Sequence, residues 1–336
     1  MTNAIPTITP EGGPRFVSAA ELRAVLSLEM ATEALARGFL ARAGEELVGV
    51  PRSVLSVPDR DQNDEGELLL MPAFGPEGAG LKLVSIVRGN GARGLPLIQG
   101  LYVLLARDGL TPELVVDGAA LTGIRTAAVS ALATSRLARP DSRHLVVFGA
   151  GAQAAAHVDA MRATLPIDRV TIVASSVGSA RGGALVRELL ADGIQAAIGR
   201  PSAVAGADVV CTCTTSTDPV FDDRELPAGV HVNATGAYRL DMCELPAASL
   251  SRALVVVESI EATWAEAGDV ARAIDAGALP PAGFAHELVE ALDGTVGRSG
   301  PEEITIFKSV GLAVEDLMLA RAVADALGEE PPLRSY

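Results

Sequence analysis

The sequence predicts an α/β fold, a doubly wound parallel sheet preceded by an α+β domain. Three observations carry the prediction. From His144 onward short apolar runs alternate with helical patterns, and parallel strands buried on both faces read as such near-continuous runs. The first of these runs, 144–148, leads into Gly149-x-Gly151-x-x-Ala154 and an alanine-rich helical stretch. Ahead of it, apolar runs are separated by Gly, Pro, Asn and Asp, which is the pattern of turn-connected antiparallel strands.

Residues 1–14 are rich in Pro, Gly and Thr and read as a frayed end. Ser18-Ala-Ala-Glu21 fits a capping box, and Leu22, Val25, Leu26 and Leu28 carry a helical period on through 30–40. Beyond Pro51, strands are expected over 53–57, 67–71, 80–87, 97–106 and 113–116, and a helix over 119–138. The alternating half then reads as strand 144–148, helix 151–163, strand 169–173, helix 179–192 and strands 208–213, 230–234 and 253–258, followed by helices. A final helix is expected over 305–327.

A chain of 336 residues has room for two domains with substantial cores. Although 49% of it is hydrophobic, no run of 18 apolar residues occurs, so a membrane span is not expected. The N-terminus lacks a basic stretch followed by an apolar one, which makes the cytoplasm the expected location. A net charge of −15 argues against nucleic acid as a partner, because a duplex binder must replace phosphate counterions with basic side chains. Cys211, Cys213 and Cys243 read as reduced structural thiols, since an i,i+2 pair on one strand cannot readily bridge. Of the 27 basic residues only Lys82 and Lys308 are lysines. Codon bias explains the skew, yet the two exceptions mark places where a compact, titratable ammonium is used.

Strand, glycine turn and helix in this order form a dinucleotide cradle. Gly149 permits the tight turn, Gly151 lets the backbone approach a diphosphate, and Ala154 lets helix and strand pack closely, with the diphosphate on the helix N-terminus. The second strand discriminates between nucleotides. An NAD enzyme usually ends that strand in Asp or Glu to hold the ribose 2′-hydroxyl. Here it ends Ala174-Ser175-Ser176, with Arg181 shortly after, so a 2′-phosphate meets hydroxyls and positive charge rather than a carboxylate. The expected cofactor is therefore NADP(H), with NAD(H) possible; the bland alternative is a turn and a solvated helix start.

Three further basic residues stand out. Arg52 begins a strand, while Lys82 and Arg125 interrupt stretches that otherwise look buried. A buried charge is costly without a partner, so each is expected to meet an anion, either a bound substrate or an internal carboxylate. His144, His157, His231 and His286 share no ligand spacing, so no metal is expected.

Several ordered motifs together resemble the ornithine cyclodeaminase/mu-crystallin family. They are Gly80-Leu-Lys-Leu-Val, Arg88-Gly-Asn-Gly-Ala-Arg-Gly-Leu-Pro96, Leu121-Thr-Gly-Ile-Arg-Thr-Ala-Ala128, Phe148-Gly-Ala-Gly-Ala-Gln153, Val232-Asn-Ala-Thr-Gly236, Glu266-Ala-Gly-Asp269 and Ile306-Phe-Lys-Ser-Val-Gly311. The resemblance implies a substrate-binding and dimerisation domain formed by 1–130 with 306–336, and a Rossmann domain over 131–305. It implies a homodimer that pairs through the sheet of the first domain. Residue by residue, Arg52, Lys82 and Arg125 match substrate-carboxylate ligands, Ala152 and Gln153 match the diphosphate loop, and Ser309 matches a position beside the nicotinamide. Thr126, Thr214 and Gly236 fall with the cofactor contacts, and Val310 with the substrate contacts.

Two departures refine what the resemblance implies. Ala174 stands where cyclodeaminases keep a ribose-binding aspartate. Tyr238 stands where they keep the aspartate that works on the substrate amine, and Met242 where they keep a lysine. A phenol with an unperturbed pKa of about 10 is a poor replacement for a carboxylate base. The segment Gly236-Ala-Tyr-Arg-Leu-Asp-Met-Cys-Glu-Leu245 is closer to the ketimine-reductase branch, although Leu240 replaces an expected proline. Tyr238 is expected to touch substrate or to serve as a structural aromatic.

The expected activity is NAD(P)H-dependent reduction of a small cyclic imino acid such as pyrroline-2-carboxylate or piperideine-2-carboxylate. Arg52 and Arg125 would hold the carboxylate, and Lys82 would assist them or protonate the ring nitrogen. The alternatives are ornithine cyclodeamination with bound NAD, amino-acid dehydrogenation, and a non-enzymatic nucleotide-binding protein of the crystallin kind. Lys308, next to Ser309, is expected either to touch cofactor or substrate or to lie on the surface. Trp264 and the 266–269 run are expected to form wall and turn.

Overall fold

The computed structural model describes residues 13–42, 47–58, 65–76, 78–176 and 178–328. The stretch 1–12, most of the expected frayed end, lies outside the described residues. The chain divides into two compact units, residues 1–30, 44–122 and 313–336 in the first and 31–43 with 123–312 in the second.

The first unit is built on a seven-stranded sheet. Its order is Arg15–Val17, Pro112–Asp117, Ile98–Leu105, Gly78–Val87, Glu65–Gly75 and Val48–Gly49, with Ser53–Pro58 also pairing to Glu65–Gly75. Every pairing is antiparallel except that of Arg15–Val17, which runs parallel to Pro112–Asp117. Ser18 accepts from the Glu21 amide at 3.3 Å and caps the helix Ala19–Val25, while the Glu21 carboxylate takes the Arg15 guanidinium at 2.5 Å.

Strand alternation gives this sheet two unlike faces. Met71, Lys82 and Tyr102 lie opposite one another in register and are all buried. The helix Ala313–Ala326 packs against the strands Glu65–Gly75, Gly78–Val87, Ile98–Leu105 and Pro112–Asp117, and its residues 313–320 are all buried. The other face presents Leu55, Phe74, Leu81 and Leu101, each between 37% and 53% exposed.

The second unit carries an eight-stranded sheet in which every pairing is parallel. Its order is Gln195–Ile198, Arg169–Val173, His144–Phe148, Val209–Thr212, His231–Ala234, Thr305–Lys308, Leu254–Val257 and His286–Glu287. The chain winds outward from His144–Phe148 in one direction, then returns to the other side of that strand with Val209–Thr212. Strand order reverses there, and in such sheets the crevice beyond the carboxyl ends at the reversal is where ligands bind.

The expected helix over 305–327 is instead a strand, Thr305–Lys308, and a helix that starts at Ala313. Thr305, Ile306 and Phe307 are β-branched or aromatic and fully buried between two parallel neighbours, so sheet packing outweighs the helical reading. Gly311, at φ +78°, turns the chain between the two.

Three histidines are structural. His144 bonds the Gly206 carbonyl and Thr171, His157 bonds Ser130 and the Gln153 carbonyl, and His231 bonds Thr305. Burial pushes His157 down to about 4 and His231 to about 3. Both folded values lie below the ordinary 6.5, so the unfolded chain takes up these protons first and stability is lost as pH falls below 6.5. We expect the two together to cost about 2 kcal/mol between pH 6.5 and 5.5, read as a falling urea midpoint. His157→Gln should flatten that slope.

Candidate active site

The candidate nucleotide site lies at the turns that follow four strands of the second unit. His144–Phe148 is buried along its whole length and ends at Gly149, whose φ of +114° excludes a side chain. A Cβ there would also lie 2.5 Å from the Cys213 carbonyl oxygen. At Gly151 a Cβ would meet nothing within 4 Å, so the turn exposes bare backbone at the N-terminus of the helix Ala152–Thr164. That first turn holds no acidic residue, and Ala154 is fully buried against the sheet. These features fit a dinucleotide diphosphate on the amides of Gly151, Ala152 and Gln153.

Arg169–Val173 delivers Ala174, Ser175 and Ser176 to the same end of the sheet. Both serines are exposed, as is Arg181 in the first turn of the helix Ala180–Ala191.

The turns after Val209–Thr212 and His231–Ala234 are held by one buried carboxylate. Glu244 accepts from Thr212 Oγ1 at 2.9 Å, the Thr214 amide at 2.7 Å, Thr214 Oγ1 at 2.8 Å, the Gly236 amide at 2.8 Å and the Ala237 amide at 3.1 Å. Gly236 must be glycine, because a Cβ would sit 2.2 Å from the Thr214 carbonyl oxygen. Burial raises the Glu244 pKa, opposed chiefly by the Lys308 charge. Asp269 in turn accepts the Glu244 amide at 2.5 Å and the Leu245 amide at 2.8 Å, and pairs with Lys308 Nζ at 2.9 Å. Lys308 also donates to the Ala237 carbonyl at 2.5 Å. Lys308 is thus fully buried, which excludes the surface reading, and it ties the Ala237 carbonyl to Asp269.

Beyond Lys308, the Glu258 carboxylate takes Ser309 Oγ at 2.5 Å and the amides of Val310 and Gly311 at 3.1 and 2.8 Å. This turn lies directly on Arg125. A Cβ at Gly311 would fall 2.3–2.7 Å from its guanidinium, and the φ of +78° favours glycine there on backbone grounds. Arg125 and Thr126 are both buried on the helix Gly118–Leu137. The Val310 side chain is buried in the hydrophobic core, and Tyr238 packs partly buried against that core. Trp264, half exposed, lies 6.1 Å from Phe284.

In the first unit Lys82 is buried to 1% exposure, and its Nζ lies 2.7 Å from Asp316 Oδ2 on the helix Ala313–Ala326. Arg52, partly buried, precedes the strand Ser53–Pro58. The sequence reading missed the acids behind these basic and polar groups. Their signal was the one that drew attention to Lys82: Glu315-Asp316 breaks the apolar run Leu312 to Ala320, and Glu244 and Glu258 each adjoin apolar stretches.

A family model, "Ornithine cyclodeaminase/mu-crystallin family", matches residues 16–330, nearly the whole chain. The chain belongs to this family. Among family members, the Delta(1)-pyrroline-2-carboxylate reductase of Paracoccus denitrificans is 35% identical over 320 residues, covering 93% of this chain and 96% of that protein. The Delta(1)-pyrroline-2-carboxylate/Delta(1)-piperideine-2-carboxylate reductase of Azospirillum brasilense is 34% identical over 315 residues, covering 92% and 94%. Of solved structures, the Delta(1)-pyrroline-2-carboxylate reductase of Thermococcus litoralis, in complex with NADH and L-proline, superposes with a TM-score of 0.87. It is 27% identical, with 94% of this chain and 98% of that chain covered.

Proposed function

We propose that this chain is an NAD(P)H-dependent reductase of small cyclic imino acids, converting Δ1-pyrroline-2-carboxylate or Δ1-piperideine-2-carboxylate to the L-amino acid. The observation that carries the reading is similarity over nearly the full length to reductases of these compounds, one of them seen with NADH and L-proline. Tyr238 in place of a carboxylate supports reduction over cyclodeamination, since no acid stands there to work on a substrate amine.

In this reading the amides of Gly151, Ala152 and Gln153 bind the diphosphate. Thr126, Thr214, Gly236 and Ser309 line the rest of the cofactor site. When bound, the reduced nicotinamide supplies a hydride to the imine carbon. Arg52 and Arg125 hold the substrate carboxylate, a guanidinium fixing geometry as well as charge. Lys82 Nζ donates the proton that keeps the ring nitrogen cationic and its carbon electrophilic, and Tyr238 and Val310 shape the space around the ring. The first-unit sheet pairs with a second copy through its exposed apolar face, making a homodimer. Among the described residues no helix is long and apolar enough to cross a membrane. Cytoplasmic residence accords with the reduced nicotinamide pool the reaction draws on.

The deciding experiment is NADPH oxidation followed across cyclic imino acids and across 2-oxo acids with amines, beside ornithine with NAD. Proline or pipecolate formed with stoichiometric NADPH loss supports the reading, whereas product from ornithine without net change in cofactor overturns it.

The proposed preference for NADP(H) rests on Ser175, Ser176 and Arg181. A charge-assisted hydrogen bond to a 2′-phosphate is worth roughly 1.5–3 kcal/mol, so Arg181→Ala should raise KM for NADPH about tenfold or more and leave that for NADH unchanged. Equal effects on both cofactors would remove Arg181 from the site.

A further inference from the structure

Lys82 is one of two lysines in the chain, and the other, Lys308, is committed to Asp269. The strand Gly78–Val87 places Lys82 on the covered face of its sheet, where Gly80 and Val84 flank it and Met71 and Tyr102 lie opposite in register. Such a site is hostile to an ammonium ion, because burial favours the neutral amine. The helix Ala313–Ala326 answers this with Asp316, whose Oδ2 lies 2.7 Å from Lys82 Nζ, both side chains being almost wholly buried. The surrounding groups are arranged around that carboxylate. Tyr102, fully buried, has its pKa raised by burial and by Asp316, so its phenol stays protonated. Arg321, the other charge on that helix felt by Tyr102, is paired with Glu113 on the strand Pro112–Asp117 at 2.5 Å. Glu113 thus engages Arg321 and Asp316 engages Lys82.

We propose that Asp316 is a positioning residue for imine reduction, holding Lys82 protonated and its Nζ in a fixed place. The inference rests on the reading of Lys82 as proton donor to the imine nitrogen. An ammonium has donors and no acceptor, so a carboxylate that takes one of them also fixes where Nζ lies. The proton balance closes through solvent. Lys82 gives one proton from Nζ to the imine nitrogen, becomes a neutral amine beside the Asp316 carboxylate, and regains a proton from solvent before the next turnover. Asp316 favours that recharging, since an anion at this distance favours the cationic form of its neighbour.

The chain's lysine count makes the test direct. Protein labelled with lysine carrying 13C at Cε has two lysine side-chain signals, assigned by Lys82→Arg. In the wild-type protein the Lys82 signal is expected to stay in its ammonium form from pH 6 to above pH 9. A Lys82 that titrates at or below neutral pH overturns the proposal without any variant being required to fold. In Asp316→Asn, the alkaline limb of the kcat/KM profile and the Lys82 titration should move together toward acid by about 1–3 pH units, with Asp316→Glu restoring most of the shift. A purely structural Asp316 would lower the melting temperature and leave both curves in place, which also overturns it. If Lys82→Met itself reduces imines at the wild-type rate, the underlying reading fails. If Lys82→Met is inactive and Asp316→Asn keeps the wild-type profile, only the role of Asp316 fails.

Discussion

Lys82→Met is expected to lower kcat/KM for cyclic imino acid reduction by at least 10²-fold, and by up to about 10⁴-fold, the range that a positioned general acid supplies. Methionine matches the length and apolar stem of lysine, so the β-strand environment beside Met71 and Tyr102 is preserved in shape. It does not preserve charge balance. Asp316, fully buried, would lose its ammonium, and breaking a buried pair by removing one partner costs about 3–5 kcal/mol. An inactive single variant therefore needs a partner experiment. Lys82→Met with Asp316→Asn removes both charges together, and replacing both members of a buried pair is far milder than removing one. The expected result is a double variant whose urea midpoint recovers most of the loss while its activity stays as low as that of Lys82→Met. Equal kcat/KM in wild type and double variant would remove Lys82 from the chemistry altogether.

How much of this was legible in the sequence depends on the range over which each feature is determined. The glycine turn at 149–151 is local: strand, turn and helix follow one another, so chain order alone gives the cradle. The longer antiparallel strands of the first unit were readable because they are long enough to show a pattern, whereas Val48–Gly49, at two residues, is not. Gln195–Ile198 and His286–Glu287, at four and two residues, are too short to show any period. Thr305–Lys308 was misread because so short a run, Thr-Ile-Phe-Lys, suits a buried strand and a buried helix alike. For the site, the basic side chains were legible as charges in apolar surroundings, but their counter-ions were not. Lys82 meets Asp316 from a helix more than 230 residues later, and the Arg125 guanidinium lies against Gly311, so neither pairing has a local spacing to betray it. The same holds for Glu244, which reads as one more acid in a loop until its five donors are counted.

A large stability effect is expected from Asp269, because its buried carboxylate holds two backbone amides and a buried ammonium at once. It starts the helix Gly268–Asp275 and holds the Glu244 and Leu245 amides on one oxygen and Lys308 on the other. The Lys308 ammonium and these backbone bonds hold its carboxyl below the ordinary range despite the burial that opposes them. Asp269→Ala strands a buried ammonium and two buried amides, so a loss of about 3–5 kcal/mol is expected, read as a lower urea midpoint. Asp269→Asn keeps an acceptor for the amides and removes only the charge, so it should cost less than Asp269→Ala. Because Glu244 depends on Asp269, and the amides of Gly236 and Ala237 depend on Glu244, the folded Asn variant should also bind the nicotinamide cofactor more weakly. Its KM for the cofactor should rise while KM for the imino acid changes little. An Asp269→Ala protein with the wild-type midpoint and wild-type nucleotide affinity would show that this carboxylate supports neither the fold nor the cofactor-side turns.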